Sequence, residues 1–258
     1  MNLRIAAIIP ARMGSRRFPG KPLLDVRGLP MVEHVRRRAL RCGRFSEVVV
    51  VTCDRESAEV IERYGGRWLL TSPTHPAATD RVAEAARALS CTHVVNIQGD
   101  EILVLGSDLE RMVRAMEAEP SVPAWNAITP LERDEELRDP SVVKCVVSVS
   151  GRILCCMRDC SPLAGKVDGA WNPVRKVLGV LGYTRAVLES YPRLPRTPLE
   201  LAEAIDQSRM LEHDVVLRGV EFSKGYPGIN EPEDVAVVER YLAEDPVQQT
   251  ALEELLRG

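Results

Sequence analysis

The chain has 258 residues, 45% hydrophobic and 28% charged, with a formal net charge of -3. That is enough apolar material for a sizeable core, and it leaves no global positive field for a nucleic-acid backbone, so nucleic acid is not an expected partner. The seven cysteines are odd in number and contain no Cys-x-x-Cys pair, which argues against a disulfide framework and a zinc ribbon. With no signal-type segment and no bilayer-length apolar run, a soluble, cytoplasmic protein with no membrane partner is expected.

Ile5 to Pro10 is a short continuous apolar run, the pattern of a strand buried on both faces of a parallel sheet. A loop rich in Gly, Ser, Arg and Pro follows from Arg12 to Pro22, and Val32, Val35, Ala39 and Leu40 then mark one face of a helix. Val48 to Thr52 reads as a second buried strand, Ser57 to Tyr64 as an amphipathic helix, and Arg67 to Leu70 as a short strand. Val82, Ala85, Ala86 and Leu89 have helical spacing, and His93 to Gln98 forms a strand that runs into Gly99-Asp100-Glu101. Ser107 and Glu110 predict a capping box for a helix with Leu109, Met112, Val113 and Met116 on its buried face.

Beyond Ser121 the texture becomes β-rich. Trp125 to Leu131, Val142 to Val149 and Arg152 to Met157 read as strands, with a hairpin at Ser150-Gly151. Arg158 to Pro173 reads as an exposed loop or dimer arm. Val177 to Gly182 is a strand before a helix from Ala186 to Tyr191, Val215 to Val220 is a further strand, and Pro232 to Leu242 and Pro246 to Leu256 are terminal helices. No repeat or flexible linker divides the chain, so one domain over 1–258 is expected. Its order of elements predicts a three-layer α/β/α fold, with a mixed, mostly parallel sheet and a smaller antiparallel portion.

Ligands in open α/β sheets bind beyond the carboxyl ends of the strands, here the loops after Pro10, Thr52 and Gln98. The first holds Arg12, Gly14, Ser15, Arg16, Arg17, Gly20 and Lys21, backbone donors and cations suited to a triphosphate. Its spacing is neither a Walker loop nor GxGxxG. After the third strand, Asp100 and Glu101 stand where a carboxylate can share Mg²⁺ with phosphate oxygens. Cys145, Cys155, Cys156 and Cys160 have no metal-ligand spacing and read as buried small hydrophobes, and the four histidines form no HExxH or triad pattern. His75 sits beside the segment leading to Thr79.

Ile9 to Leu23, reading Ile-Pro-Ala-Arg-Met-Gly-Ser-Arg-Arg-Phe-Pro-Gly-Lys-Pro-Leu, resembles the nucleotide-binding loop of the CMP-KDO synthetases, the 3-deoxy-manno-octulosonate cytidylyltransferases. Thr79-Asp80-Arg81, Val95 to Glu101, Leu178 to Tyr183, Pro198-Leu199-Glu200 and Gly228 to Asp234 follow in that family's order. The resemblance implies a nucleotidyltransferase fold, a homodimer, and Mg²⁺-dependent transfer of CMP from CTP to a small anionic acceptor. It implies a CTP-binding half over 1–120, an acceptor-binding and dimer-forming half over 121–230, and C-terminal helices over 231–258.

By the same resemblance Ala11, Arg12, Gly14, Ser15, Arg17, Lys21, Thr79, Arg81 and Gln98 bind the nucleotide, and Arg12, Lys21 and Asp100 carry catalysis. Gln98, Arg158 and Gln207 face the acceptor, while Asp100 and Asn230 hold the metal. Asn230 stands where the family has an aspartate, and it also reads as a helix N-cap with Glu233 completing the box. Val177 and Leu181 replace a histidine and a tyrosine, and Asp206 replaces a glutamate. These departures fall on the acceptor side. They favour a phosphonate such as phosphonoformate, compatible with an antibiotic-pathway enzyme, over KDO itself; a CTP-binding protein without turnover is the further alternative.

Overall fold

The computed structural model describes residues 3–15, 17–163 and 172–257. Strand β1 (Ile5–Pro10) leads through a loop to a small hairpin, β2 (Asp25–Val26) and β3 (Leu29–Pro30), and then to α1 (Met31–Arg41). There follow β4 (Glu47–Thr52), α2 (Arg55–Arg63), β5 (Arg67–Leu70), α3 (Ala78–Arg87), β6 (His93–Ile97), α4 (Gly106–Ala118) and β7 (Ala124–Thr129). The second half contains β8 (Lys144–Val147), β9 (Ile153–Met157), β10 (Val174–Thr184), α5 (Arg185–Ser190), α6 (Pro198–Glu203), α7 (Asp206–Glu212), β11 (Leu217–Glu221), α8 (Asp234–Glu244) and α9 (Pro246–Leu256).

The main sheet is ordered β11-β7-β10-β6-β1-β4-β5, with β8 and β9 branching from β10. β10 runs antiparallel to both β6 and β7, and the other pairs on the path are parallel, giving the expected mixed, mostly parallel sheet. Alternation along β1 assigns its two faces: Ala6 and Ile8 pack under α3, α5 and α7, while Ile5, Ala7 and Ile9 pack under α1, α2 and α4. A third cluster joins Val26, Met31, Ile102, Leu103 and Ile229 to Val238 and Leu242 of α8. The expected hairpin forms at Ser148 to Arg152, where Gly151 takes φ +80°. Cys145 and Cys156 are opposed across it and buried, all seven cysteines are free, and burial pushes the Cys145 thiol up to about 12.

Several local expectations need correction. Helix α4 begins at Gly106, so Ser107 lies inside it and caps nothing; Asp108 of the first turn instead accepts from Ser223 N and Oγ at 2.9 and 2.7 Å. Helix α8 begins at Asp234, and the cap runs the other way: the Asp234 carboxylate accepts from the Asn230 and Glu231 N–H groups at 2.7 and 2.9 Å. Asn230 therefore does not cap the helix with its side chain. Helices α6 and α7 were not expected, although Thr197-Pro198-Leu199-Glu200 has a cap residue, Pro at the first helical position and Glu two residues later. Of the arm expected over 158–173, residues 164–171 lie outside the described residues.

Candidate active site

Strand β1 lies between β4 and β6, parallel to both, so the loops after Pro10, Thr52 and Ile97 emerge at one sheet edge. Gly99 makes the close junction possible: a Cβ there would stand 2.7 Å from Pro10 O. The first loop is tied to its neighbour by Ala11 N–Val51 O, 2.8 Å, and by Met13 N donating to Asp54 Oδ2, 2.7 Å. Gly20 turns the chain with φ +77° into the 3-10 turn Lys21–Leu23, which aims Lys21 back across the sheet edge.

Lys21 Nζ donates to Asp100 Oδ2 at 3.0 Å and to Ile229 O at 2.9 Å. The turn carrying Ile229 rests on the other side of Asp100, with Ile229 N donating to Asp100 O at 3.2 Å. Arg17 reaches the same turn, donating to Asn230 Oδ1 at 2.9 Å and lying 3.9 Å from the Glu231 carboxylate. Three segments far apart in sequence are thus fastened at one place.

A cleft opens there. Ala11, Arg12, Ser15 and Lys21 line one wall; His75, Ala77, Ala78 and Arg81 line a second; Gln98, Gly99 and Asp100 form the floor. Helix α3 begins at Ala78 with no side-chain cap, so its first-turn N–H groups are available beside the cleft. Arg81 is buried and donates to Thr71 Oγ1, and His75 pairs with Glu84. Among the described residues Arg12 has no carboxylate partner, and Asp100 is the carboxylate that lines the cleft.

Of the residues expected at the nucleotide, Ala11, Arg12, Ser15, Lys21, Arg81 and Gln98 line this cleft. Gly14 is in the same loop, Arg17 sits at the rim on Asn230, and Thr79 is buried behind the wall. Arg158 and Gln207 do not line it. Arg158 donates to Glu203 O at 2.7 Å, Pro140 O at 2.6 Å and Ala204 O at 3.4 Å, securing the C-terminus of α6. Gln207 is buried and donates to Asn126 Oδ1 at 2.9 Å. Leu181 fills the core beneath α3 and α7, and Val177 packs against that cluster. Sequence reasoning missed Asp54, whose carboxylate accepts from Met13 N, and also Ile229 and the small pair Ala77-Ala78, which act through backbone or position; none carries a motif of its own.

Glu101 turns away from Asp100. Its Oε1 accepts from Gly179 N at 2.6 Å, and burial together with the Asp100 charge pushes its carboxyl up to about 7. The Asp-Glu pair is therefore one carboxylate for the cleft and one for the sheet. No group of three or more His, Cys, Asp or Glu side chains that could hold a metal occurs among the described residues. A single carboxylate beside phosphate oxygens nevertheless suits Mg²⁺, which keeps most of its waters and takes few protein ligands. The Asn230 amide oxygen already accepts from Arg17.

A parallel sheet edge holding a cationic, glycine-bearing loop against one carboxylate, with a helix N-terminus alongside, defines a nucleotidyltransferase. The cytidylyltransferase family profile matches residues 6–220, and the chain belongs to that family, as a CTP-dependent cytidylyltransferase. The 3-deoxy-manno-octulosonate cytidylyltransferase of Syntrophobacter fumaroxidans is 39% identical over 250 residues, covering 95% of this chain and 99% of its own. That of Myxococcus xanthus is 39% identical over 241 residues, covering 92% and 96%. The structure of CMP:2-keto-3-deoxy-manno-octonic acid synthetase complexed with CTP matches with TM-score 0.88 and 32% identity, covering 94% of this chain and 99% of that one. These relatives support the sugar-acid alternative over the phosphonate preference drawn from the departures, and no helix among the described residues is long and apolar enough to cross a membrane.

Proposed function

We propose that this enzyme transfers the cytidylyl group of CTP to a 2-keto-3-deoxy sugar acid of the 3-deoxy-manno-octulosonate class and releases pyrophosphate. The observation that carries the reading is the junction of Lys21, Asp100 and the Ile229 turn on the floor of a cleft walled by Arg12 and Arg81. The names of the relatives supply the acceptor class.

In this reading an acceptor oxygen attacks the α-phosphorus in line, and the bond to the pyrophosphate oxygen breaks. Arg12 and Lys21 hold the triphosphate and offset the charge that grows on the leaving group, and the N–H groups of α3 add neutral donors. Asp100 is the residue that would hold Mg²⁺ beside the triphosphate oxygens. The ion, when bound, neutralises negative charge on those oxygens. Gln98 lines the floor of the cleft, and in this reading it meets both the nucleotide and the acceptor.

A phosphonate acceptor is the second reading, favoured by Asn230 standing where the family has an aspartate. One carboxylate fewer near the phosphates lowers repulsion toward a more highly charged acceptor. The test is pyrophosphate release with Mg²⁺, each of the four nucleoside triphosphates in turn, and either KDO or phosphonoformate. Release with CTP and KDO is expected. Release with phosphonoformate alone selects the second reading, and no release with CTP and either acid removes both.

A further inference from the structure

Helix α2 starts without the cap its sequence offers. Asp54 occupies the N-cap position with extended backbone angles, φ -108° and ψ 120°, and an aspartate there ordinarily accepts from N–H groups of its own first turn. It caps none of them. Its Oδ2 instead accepts from Met13 N at 2.7 Å, 41 residues back along the chain. The side chain is steadied by Thr52, a fully buried residue whose Oγ1 accepts from Asp54 N at 3.0 Å and lies 3.4 Å from Oδ2.

Met13 is the neck of the cationic loop. Its carbonyl accepts from Gly20 N at 2.9 Å, closing the turn that delivers Lys21, while Arg12 before it and Ser15 after it line the cleft. Among the described residues, the bond to Asp54 is the one hydrogen bond from the backbone of Arg12 to Phe18 to an element outside the loop. Asp54 itself does not line the cleft. A carboxylate facing the cleft would repel a triphosphate; kept out of it, the same charge strengthens the bond to Met13 N. The contribution of a helix cap is thus forgone to hold a loop, and proteins break local rules in this way chiefly at functional sites. We propose that Asp54 is a positioning residue for the nucleotide: by fixing Met13 it keeps Arg12, Ser15 and Lys21 in the arrangement that receives the triphosphate. This rests on the reading that the cleft binds CTP, and Asp54 touches no substrate.

The experiment is calorimetric titration with CTP and Mg²⁺, paired with urea denaturation, on Asp54→Ser and Asp54→Asn. Serine caps a helix about as well as aspartate, but its hydroxyl ends one bond nearer the backbone and is too short to reach Met13 N. Asp54→Ser is therefore expected to leave the urea midpoint in place and to weaken CTP binding about tenfold, the scale of one lost charge-assisted hydrogen bond. Asp54→Asn keeps an acceptor oxygen at the same reach and is expected to bind CTP within about threefold of the unsubstituted protein. A role confined to helix α2 would move the urea midpoint and not the CTP affinity. Unchanged affinity in Asp54→Ser, or equal weakening in both variants, would overturn the assignment. Should Asp54→Ser fail to fold, Asp54→Thr replaces it under the same criteria. If the unsubstituted protein binds no CTP, the function reading fails and this assignment falls with it. CTP bound equally by the unsubstituted protein and by Asp54→Ser leaves that reading standing and sinks the positioning role alone.

Discussion

Gly228→Ala perturbs the junction without changing a charge. Gly228 needs no special backbone conformation; what it needs is space, because a Cβ there would stand 2.6 Å from Asp100 O and 3.3 Å from Asp100 C. Both atoms belong to the backbone, so no side chain can swing aside. An ordinary C···O contact begins near 3.3 Å, and the turn must retreat by about 0.7 Å. Along the 2.9 Å bond from Lys21 to Ile229 O, a retreat of that size gives about 3.6 Å, outside hydrogen-bonding range. Overpacking of this kind costs about 1–3 kcal/mol, and loss of one anchor on Lys21 is expected to lower kcat/KM for CTP about tenfold. Urea denaturation and pyrophosphate release measure the two effects. A variant with unaltered stability and unaltered kcat/KM would refute the claim that this turn fixes Lys21 against Asp100.

Two further outcomes concern the frame around the site. Glu200 is 1% exposed and accepts from Arg209 Nε at 2.8 Å and Arg196 Nε at 2.9 Å, so Glu200→Ala, which leaves buried Arg209 unpaired, is expected to cost about 3–5 kcal/mol in urea denaturation. A cost under about 1 kcal/mol would mean that the pair is not buried in solution. His34 is fully buried, with Nε2 donating to Val26 O at 2.7 Å, and burial pushes it from 6.5 down to about 4. Between those values the unfolded chain binds a proton that the folded chain refuses. Stability contributed by neutral His34 is therefore lost as pH falls from 6.5 through 4, by about 3 kcal/mol in all. Urea midpoints at pH 7 and pH 4.5 are expected to differ less in His34→Gln, which keeps the N–H donor and does not titrate; equal differences would contradict this.

The parallel strands were legible because apolar runs such as Ile5 to Pro10 are buried on both faces, and the cleft was legible because cations and glycine crowd the loop after Pro10. Helices α6 and α7 were not, since their six and seven residues are too short for periodicity to show and only the cap signal marked one start. The caps assigned to Ser107 and Asn230 failed for a shared reason. A cap motif states what a side chain can do locally, and here Asp108 went to Ser223, while Asp234 took the N–H groups around Asn230 and Arg17 took its amide oxygen. Residue type alone did not separate Asp100 from Glu101, and only the family resemblance chose Asp100; in the structure the bulge in β10 between Val177 and Leu181 separates them by presenting Gly179 N to Glu101. The acceptor side was read from substitutions at Val177 and Leu181, whose packing into the sheet core is a tertiary fact without a sequence signature.

The central claim is that the carboxylate beside Lys21 serves the triphosphate. The direct measurement is single-turnover pyrophosphate release at saturating CTP, Mg²⁺ and acceptor by Asp100→Ala, with circular dichroism confirming the fold. Asp100 is partly exposed and bonded through its side chain to Lys21, so the fold is expected to survive while release falls by at least about a thousandfold. Release within about tenfold of the unsubstituted rate would contradict the account.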